Sequence, residues 1–410
     1  MSVDLRPLTI PRIPMTVHAM ISAESPVQLW GLSSRQRLER MLKKMNVVNW
    51  TDQPDTVPPG DTLLLLRGDY LYDERLIRGL LQKPGTVLRA GDKPVAAHVE
   101  TGDAAGSLAL LDGSKHAGEF PDFCFETPQS LGVNHQITLR KVDAPYLLPI
   151  SPKNQRRLEQ RLFSGSYKGV TDLVTKWLWP RPAQVVTRFC ANNGITPNQV
   201  TSLSLVLVII AGLLFYQGSF ALGLLAAWGM TFLDTVDGKL ARVTVNSSQF
   251  GNIFDHAIDL ISPPLWYLVW GLGLSTWQPG IDLSLKSAFG LIFIGYIAGR
   301  IVEGIFKQFL ESSGIFCWRP FDSYFRLITG RRNPNLILLS ASLLVGRPDQ
   351  GLLAVTIWTL ISSIILVVRL LMGFCMHLTG TPLRSWLLDV DPATPNPSLT
   401  QRCFTNIARD

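Results

Sequence analysis

Features typical of several other protein classes are missing from this 410-residue sequence. Its five cysteines are scattered, without CxxC pairs or histidines at ligand spacing, so they form neither a disulfide framework nor a zinc site. Only 17% of the residues are charged and no nucleic-acid-binding motif is present, so we expect no nucleic-acid partner. The N-terminus lacks a basic region followed by an apolar stretch, so we expect no cleavable signal.

Hydrophobic residues make up 47% of the chain and concentrate after residue 198, which predicts an integral membrane protein. Six apolar spans can be drawn, at about 200–216, 220–241, 253–274, 284–306, 335–346 and 351–376. The fifth is short for a bilayer core of about 30 Å, and its helix gains length if it continues back through Leu327 and Ile328. Lys and Arg are rare in alternate loops, which predicts six spans with both termini in the cytosol. The net charge is +7, and the basic residues lie next to the apolar spans, as expected for contact with anionic membrane lipids.

Four aspartates lie between two strongly apolar segments, Phe220–Leu233 and Leu260–Leu274. Asp234 and Asp237 are three residues apart, and Asp255 and Asp259 are four apart, so each pair shares one helix face. Four carboxylates at the edge of a bilayer repel one another unless cations neutralise them. Hard oxygen ligands of this kind suit two Mg²⁺ or Mn²⁺ ions, and two such ions form a clamp for phosphoryl displacement. The alternative is a solvated acidic loop.

Small residues and one fixed cation surround these aspartates. Gly238, Ala241 and Gly251 leave the helix surfaces bare, so that a nucleotide has room to lie against the backbone, and Arg242 offers a cation for a phosphate. The order of these residues resembles the signature of the CDP-alcohol phosphotransferase family, D-x2-D-G-x2-A-R-x8-G-x3-D-x3-D. The resemblance covers residues 165–378. It implies transfer of a phosphatidyl or related phosphoalkyl group from a CDP-alcohol, such as CDP-diacylglycerol, to an alcohol, with release of CMP in phospholipid biosynthesis.

The resemblance also assigns roles to individual residues. It makes the four aspartates the metal ligands and Asp259, in addition, the catalytic proton acceptor. It gives the donor nucleotide seven contacts: Asn198, Thr201, Gly238, Ala241, Arg242, Ser248 and Gly251. From the residues alone, Pro197 and Asn198 read as the start and the cap of the first span.

The acceptor alcohol is not encoded in this signature. Arg300, Glu303 and Lys307 share one face at the end of the fourth span, and they predict either an acceptor pocket or an Arg300–Glu303 pair with a snorkelling lysine. Arg331, near Arg326 and Arg332, either adds to that pocket or anchors the cytosolic side. Several basic residues together favour a phosphorylated acceptor such as inositol phosphate or glycerol phosphate.

The spans are flanked by three further regions. Residues 146–196 are a basic juxtamembrane linker with an interfacial helix, and residues 379–410 read as a loosely ordered cytosolic tail after the six-span domain of residues 197–378. Residues 1–145 read as an α/β cytosolic domain with a mostly parallel sheet. Its order of elements resembles a sugar-nucleotidyltransferase, with Asp69 as a metal ligand, but Ala23-Glu24-Ser25-Pro26 stands where the Gly-rich loop is expected. We therefore expect a degenerate, non-catalytic domain.

Four alternative functions would each show a different feature in the sequence. A bifunctional enzyme would use the N-terminal domain to make its own CDP-alcohol. A transporter would show broken helices near the bilayer centre, and a polyprenyl transferase would carry a DDxxD-like pattern, which is absent here. A scaffold would have lost signature positions. We expect an active site at the cytosolic face, in the inner membrane if the source is bacterial, and the sequence is compatible with a homodimer.

Overall fold

The computed structural model describes residues 16–405. The strands are β1 Val17–Ser22, β2 Asn49–Trp50, β3 Thr62–Arg67, β4 Tyr70–Tyr72, β5 Thr86–Ala90, β6 Lys93–Glu100, β7 Cys124–Glu126, β8 His135–Gln136, β9 Lys141–Val142 and β10 Leu147–Pro149. The helices are α1 Ser34–Lys44, α2 Glu74–Leu81, α3 Ala104–Asp112, α4 Pro128–Leu131, α5 Gln155–Gly165, α6 Pro180–Asn192, α7 Pro197–Tyr216, α8 Phe220–Val243, α9 Gln249–Leu272, α10 Leu285–Phe309, α11 Pro320–Ile328, α12 Arg332–Leu344, α13 Pro348–Leu378 and α14 Leu399–Phe404. The chain forms two compact units, which are described separately.

The first unit is an α/β domain. Among the described residues it contains the chain up to Asn134 together with Ala144–Arg161. Its six-stranded sheet has the order β2-β1-β3-β6-β5-β7. Strand β6 runs antiparallel to both of its neighbours, so the sheet is mixed and the expectation of a mostly parallel sheet is wrong at this strand. The reason is local: only Gly91 and Asp92 separate β5 from β6, and Gly91 adopts a positive φ of 63°, as a tight hairpin turn requires.

The second unit is helical and contains the apolar part of the chain. Within the described residues, four helices are long and apolar enough to cross a membrane: α7, α8, α10 and α13. The remaining predicted spans correspond to α9, which contains two aspartates and two prolines, and to α12, which has only 13 residues. The chain breaks at Thr329–Arg331 between α11 and α12, so α12 is not extended back through Leu327 and Ile328. The count of six spans stays a prediction.

Helix α7 begins at Pro197, as the sequence indicated, but its cap lies two residues before the expected one. The cap is Thr196, whose side chain accepts a hydrogen bond from the Gln199 backbone N–H, while the Thr196 backbone N–H donates to the Gln199 side-chain oxygen. Asn198 is therefore not the cap. Its side chain is left available for other contacts.

The region before α7 is folded onto α8. The Lys239 side chain is buried, donates to the Ser166 carbonyl at 3.3 Å, and places its ammonium 3.5 Å from the centre of the Tyr167 ring. These contacts hold residues 166–167 against the helix that carries Asp234 and Asp237.

The C-terminal segment is ordered through Thr405, and the prediction of a loose tail is wrong there. Leu387, Val390 and Phe404 are buried in one apolar cluster with Val170 and Phe316, which also includes residues of α10 and α13. The Ser385 hydroxyl donates to the Cys317 carbonyl at 2.7 Å. A few well-spaced apolar residues thus fix a segment whose overall composition is typical of disorder.

Candidate active site

The aspartates of α8 and α9 meet at one place. Carboxylate oxygens of Asp234, Asp237 and Asp255 lie within 4.8 Å of one another. Asp237 is only 4% exposed, and the Thr201 hydroxyl donates to it at 2.5 Å. Three oxygen ligands this close together, one of them buried, fit a divalent cation of the Mg²⁺ or Mn²⁺ type.

Asp259 lies on the same helix face as Asp255 but is engaged elsewhere. The Arg332 guanidinium donates to Asp259 through Nη1 and to Asp234 through Nη2, the second bond measuring 2.5 Å. Arg332 is the first residue of α12. Arg332 therefore connects α12 to both α8 and α9.

A cavity opens beside this cluster and is lined by Asp237 and Asp255. All seven residues expected to contact the donor nucleotide line it: Asn198, Thr201, Gly238, Ala241, Arg242, Ser248 and Gly251. The Ser248 hydroxyl accepts from the Gly251 N–H at 2.9 Å and caps α9. A Cβ atom on Gly251 would collide with the Asn198 side chain, so only glycine leaves this approach open.

A second cavity, lined in part by Asp259, is basic. Its lining consists of Asp172, Asp259, Arg300, Arg326, Arg331, Arg332, Asn333 and Pro334. Asp172 accepts from the Asn333 amide at 2.9 Å. Although burial opposes its ionisation, the nearby Arg326 and hydrogen bonds from Thr175 and Asn333 hold the pKa of Asp172 below its usual value. Asp172 and Asp259 offset part of the charge of the four arginines, and the lining keeps a net positive charge that attracts an anion.

Two of the three residues expected at the acceptor line one cavity, and the third does not. Arg300 and Arg331 line the basic cavity, whereas Lys307 is exposed and does not. Glu303 pairs with Arg331, while Arg300 donates to the Tyr296 hydroxyl at 3.0 Å. The alternative of an Arg300–Glu303 pair is therefore wrong.

Two residues of the site carried no distinct signal in the sequence. Arg332 was one of several basic residues before a predicted span, and Asp172 was part of the linker pattern. The burial of Arg332 at the start of α12, where a cation needs an acidic partner, becomes visible only in the structure.

The arrangement agrees with the resemblance drawn from the motif. Residues 194–310 match the family model of the CDP-alcohol phosphatidyltransferases. The matched stretch extends from the loop before α7 to the end of α10, and it contains all four aspartates.

Three relatives are similar to this chain over part of its length. The archaetidylinositol phosphate synthase of Pyrococcus horikoshii is 34% identical over 119 residues, which are 28% of this chain and 60% of that protein. Cholinephosphotransferase 1 of Gallus gallus is 33% identical over 132 residues, 29% of this chain and 38% of the relative. The bifunctional IPC transferase and DIPP synthase of Archaeoglobus fulgidus is 23% identical over 282 residues, 61% of this chain and 55% of the relative. The chain thus spans less than two thirds of each of these proteins.

Proposed function

We propose that this protein transfers a phosphatidyl or related phosphoalkyl group from a CDP-alcohol to an alcohol acceptor and releases CMP. The observation that carries this proposal is a cluster of three carboxylates beside a glycine-lined cavity, joined through Arg332 and Asp259 to a basic cavity. A donor nucleotide in the first cavity and an acceptor in the second would have the aspartates between them. Substrates on opposite sides of the reacting phosphorus suit an in-line displacement.

Asp234, Asp237, Asp255 and Asp259 would together hold two Mg²⁺ or Mn²⁺ ions. A bound cation of this type polarises the pyrophosphate and neutralises the charge that develops on the departing CMP. Arg242, Asn198 and Ser248 orient the nucleotide.

Asp259 is the proton acceptor in this proposal. It lies between the two cavities, because it lines the basic cavity while sharing a helix face with Asp255. The alcohol oxygen attacks the phosphorus of the lipid-linked phosphate, its proton passes to Asp259, and the bond from that phosphorus to the CMP oxygen breaks. Nothing in this sequence of events requires a covalent enzyme intermediate.

The acceptor is proposed to be phosphorylated. Four arginines line its cavity, and within the described residues the buried Nε and Nη1 of Arg326 have no hydrogen-bond acceptor. Buried donors of this kind are satisfied by a ligand anion. Inositol phosphate and glycerol phosphate both supply one.

The decisive experiment is an assay with purified protein in detergent, CDP-diacylglycerol, Mg²⁺ and a panel of alcohols. We expect CMP release that depends on one alcohol and a lipid product whose mass equals the sum of the phosphatidyl group and that alcohol. A companion series replaces CDP-diacylglycerol with other CDP-alcohols. Absence of CMP release with every pair would contradict the proposal.

We propose further that the site faces the cytosol, at the inner membrane if the source is bacterial. The support is the scarcity of Lys and Arg in alternate loops. After replacement of the exposed Cys124 and Cys375, a cysteine at Asp282 should react with an impermeant thiol reagent in intact cells, whereas one at Lys307 should not. Both side chains are exposed, so the difference reports the side of the membrane.

A further inference from the structure

Asn333 is a buried polar residue of the basic cavity, and its amide nitrogen is fully engaged. The residue lines the cavity and is only 5% exposed. Its Nδ2 donates to Oδ1 of Asp172 at 2.9 Å and to the Thr175 hydroxyl at 3.3 Å. An amide nitrogen carries two hydrogens, so this one has none left for a ligand.

The orientation of this amide is fixed by Asp172. The same Oδ1 atom of Asp172 also accepts from the backbone N–H groups of Val174 and Thr175, at 3.1 and 3.0 Å. An oxygen with three donors around it acts only as an acceptor, and a second acceptor beside it would be repelled. The nitrogen of Asn333 must therefore face Asp172, and the amide oxygen must point away from it.

The amide oxygen of Asn333 is an acceptor without a donor. Among the described residues no group donates to this buried Oδ1 atom. A buried polar atom that lacks a hydrogen bond is costly, so a ligand that brings a donor to it gains binding free energy. Because Asn333 lines the basic cavity, the ligand that can bring this donor is the acceptor substrate.

The charge of the cavity decides which kind of donor fits. Four arginines and two aspartates line it, so its net charge is positive. An ammonium group, as in an amino alcohol, is repelled by this excess of positive charge. A hydroxyl group is neutral and can still donate. The phosphate of the acceptor would occupy the arginines, which leaves a hydroxyl for Asn333.

We propose that Asn333 is a specificity-determining residue, which accepts a hydrogen bond from a hydroxyl of the acceptor other than the attacking one. This inference rests on the function proposed above and narrows its substrate class to phosphorylated polyols. Such a molecule has a phosphate for the arginines, one hydroxyl for the attack and at least one further hydroxyl for Oδ1 of Asn333. Asp172 and Thr175 hold the amide in place for this contact.

The test compares a phosphorylated polyol with an analogue that lacks one hydroxyl. The first pair is glycerol phosphate and hydroxypropyl phosphate, which lacks only the central hydroxyl. If the alcohol panel selects an inositol phosphate, its monodeoxy analogues take that place, and at least one of them should be discriminated. We expect the wild-type kcat/KM for the polyol to exceed that for the analogue by at least about tenfold, because the analogue leaves Oδ1 unpaired. In Asn333→Ala the two values should differ by less than about threefold.

Asn335→Ala is the matched control. Asn335 also belongs to α12, is 0% exposed, and donates to the hydroxyls of Tyr267 and Thr359 at 3.0 and 3.4 Å. Its Oδ1 likewise has no partner within the described chain, but Asn335 lines neither cavity of the site. Both variants should lose stability, and only Asn333→Ala should lose the discrimination. All four arginines remain in both, so a change in cavity charge does not explain a difference between them.

Equal kcat/KM values for the pair in the wild type refute the proposal, and so does an undiminished ratio in Asn333→Ala. If that variant does not fold, the wild type decides alone: unequal values support the hydroxyl contact and equal values refute it. A wild type that prefers an amino alcohol also overturns the inference. Each of these refutations includes normal CMP-forming transfer and leaves the proposed function intact, whereas absence of CMP release with every donor and alcohol contradicts that function itself.

Discussion

The backbone of Gly169 packs directly against the carbonyl oxygen of Phe404, with no space for a Cβ atom between them. Gly169 belongs to the juxtamembrane region and Phe404 to the last helix, so this contact joins the two ends of the second unit. Val170, which follows, is buried in the same cluster as Phe404. Asp172 of the basic cavity is only three residues beyond Gly169.

The first prediction is that Gly169→Ala lowers the stability of the protein. The added methyl group would meet the Phe404 and Arg140 carbonyl oxygens, so the backbones must separate, at a cost of about 1–3 kcal/mol. Thermal unfolding in detergent measures the loss. Gly165→Ala, which meets nothing within 4 Å, should have little effect, and equal melting temperatures for the two variants would contradict the packing.

The second prediction concerns the carboxylates. Asp234→Asn, Asp255→Asn and Asp259→Asn should each reduce CMP release by at least about a hundredfold, because each removes a charged ligand or the proton acceptor. The fold should survive, since the amide has almost the same shape. Asp282→Asn, at an exposed position, is the control. Activity within about tenfold of the wild type, a loss of only ~1.4 kcal/mol, would show that the assigned role is wrong.

The third prediction concerns the donor cavity. Gly251→Ala should raise KM for the CDP-alcohol by about tenfold, ~1.4 kcal/mol of binding, because the methyl group would displace the Asn198 side chain from the cavity lining. KM for the acceptor should change little. Gly290→Ala in α10 meets nothing within 4 Å and should leave both constants unaltered. A KM effect on the acceptor alone would assign the cavity to the other substrate.

The fourth prediction is that Asp69→Ala leaves CMP-forming activity intact. Arg67 makes two bonds to Asp69, at 3.0 and 2.7 Å, so the carboxylate already has a cation as its partner. In the place expected for a Gly-rich loop, Glu24 pairs with Arg35 at 2.5 Å. We also expect the full-length protein to release no pyrophosphate from CTP and a sugar or polyol phosphate. Pyrophosphate release that Asp69→Ala abolishes would instead make the protein bifunctional.

The fifth prediction is a pH effect on the stability of the first unit. Burial lowers the pKa of His98, which is 1% exposed and bonds to the Leu80 carbonyl and the Thr62 hydroxyl. The unfolded chain, with an ordinary pKa of about 6.5, then takes up a proton more readily than the folded one. Stability present above that pH should therefore be lost as the pH falls, by up to ~1.4 kcal/mol per pH unit.

Unfolding of the full-length protein between neutral and mildly acid pH measures this slope. His98→Gln should reduce the slope, although it lowers stability at every pH. The exposed His116→Gln should leave the slope as it is. An unchanged slope in His98→Gln would mean that other groups dominate the acid response.

Much of the site was predictable because its parts are close in sequence. The aspartates repeat at helical spacing on two adjacent helices, and the seven residues expected at the nucleotide belong to the same stretch or to the start of α7. Arg332 is different, since 98 residues separate it from Asp234 and only the packing of α12 reveals its partners. The position of Phe404 was hidden for a similar reason: its partners lie on distant segments, whereas local composition indicated a loose tail.

Local sequence patterns also did not decide the cap of α7, the direction of β6 or the number of membrane spans. Both Thr196 and Asn198 are good caps, and the choice between them depends on Gln199, which completes a capping box only with Thr196. In the first unit, the alternation of strands and helices indicated parallel pairing, and the two-residue turn before β6 overrode it. The count of membrane spans depends on how a short helix and one with two prolines sit in a bilayer, which periodicity alone does not decide.

The position of Asp234 along α8 has a consequence for how the two substrates meet. It lies nine residues before the last residue of that helix, Val243, which corresponds to a depth of about 14 Å along the axis. We propose that the end of α8 lies level with the lipid phosphates, which would put the reaction below that layer. A diacyl donor would then approach sideways from the leaflet, whereas a water-soluble alcohol would need a hydrated opening from the surface. A soluble alcohol without a lipid tail must therefore be small enough to pass down such an opening.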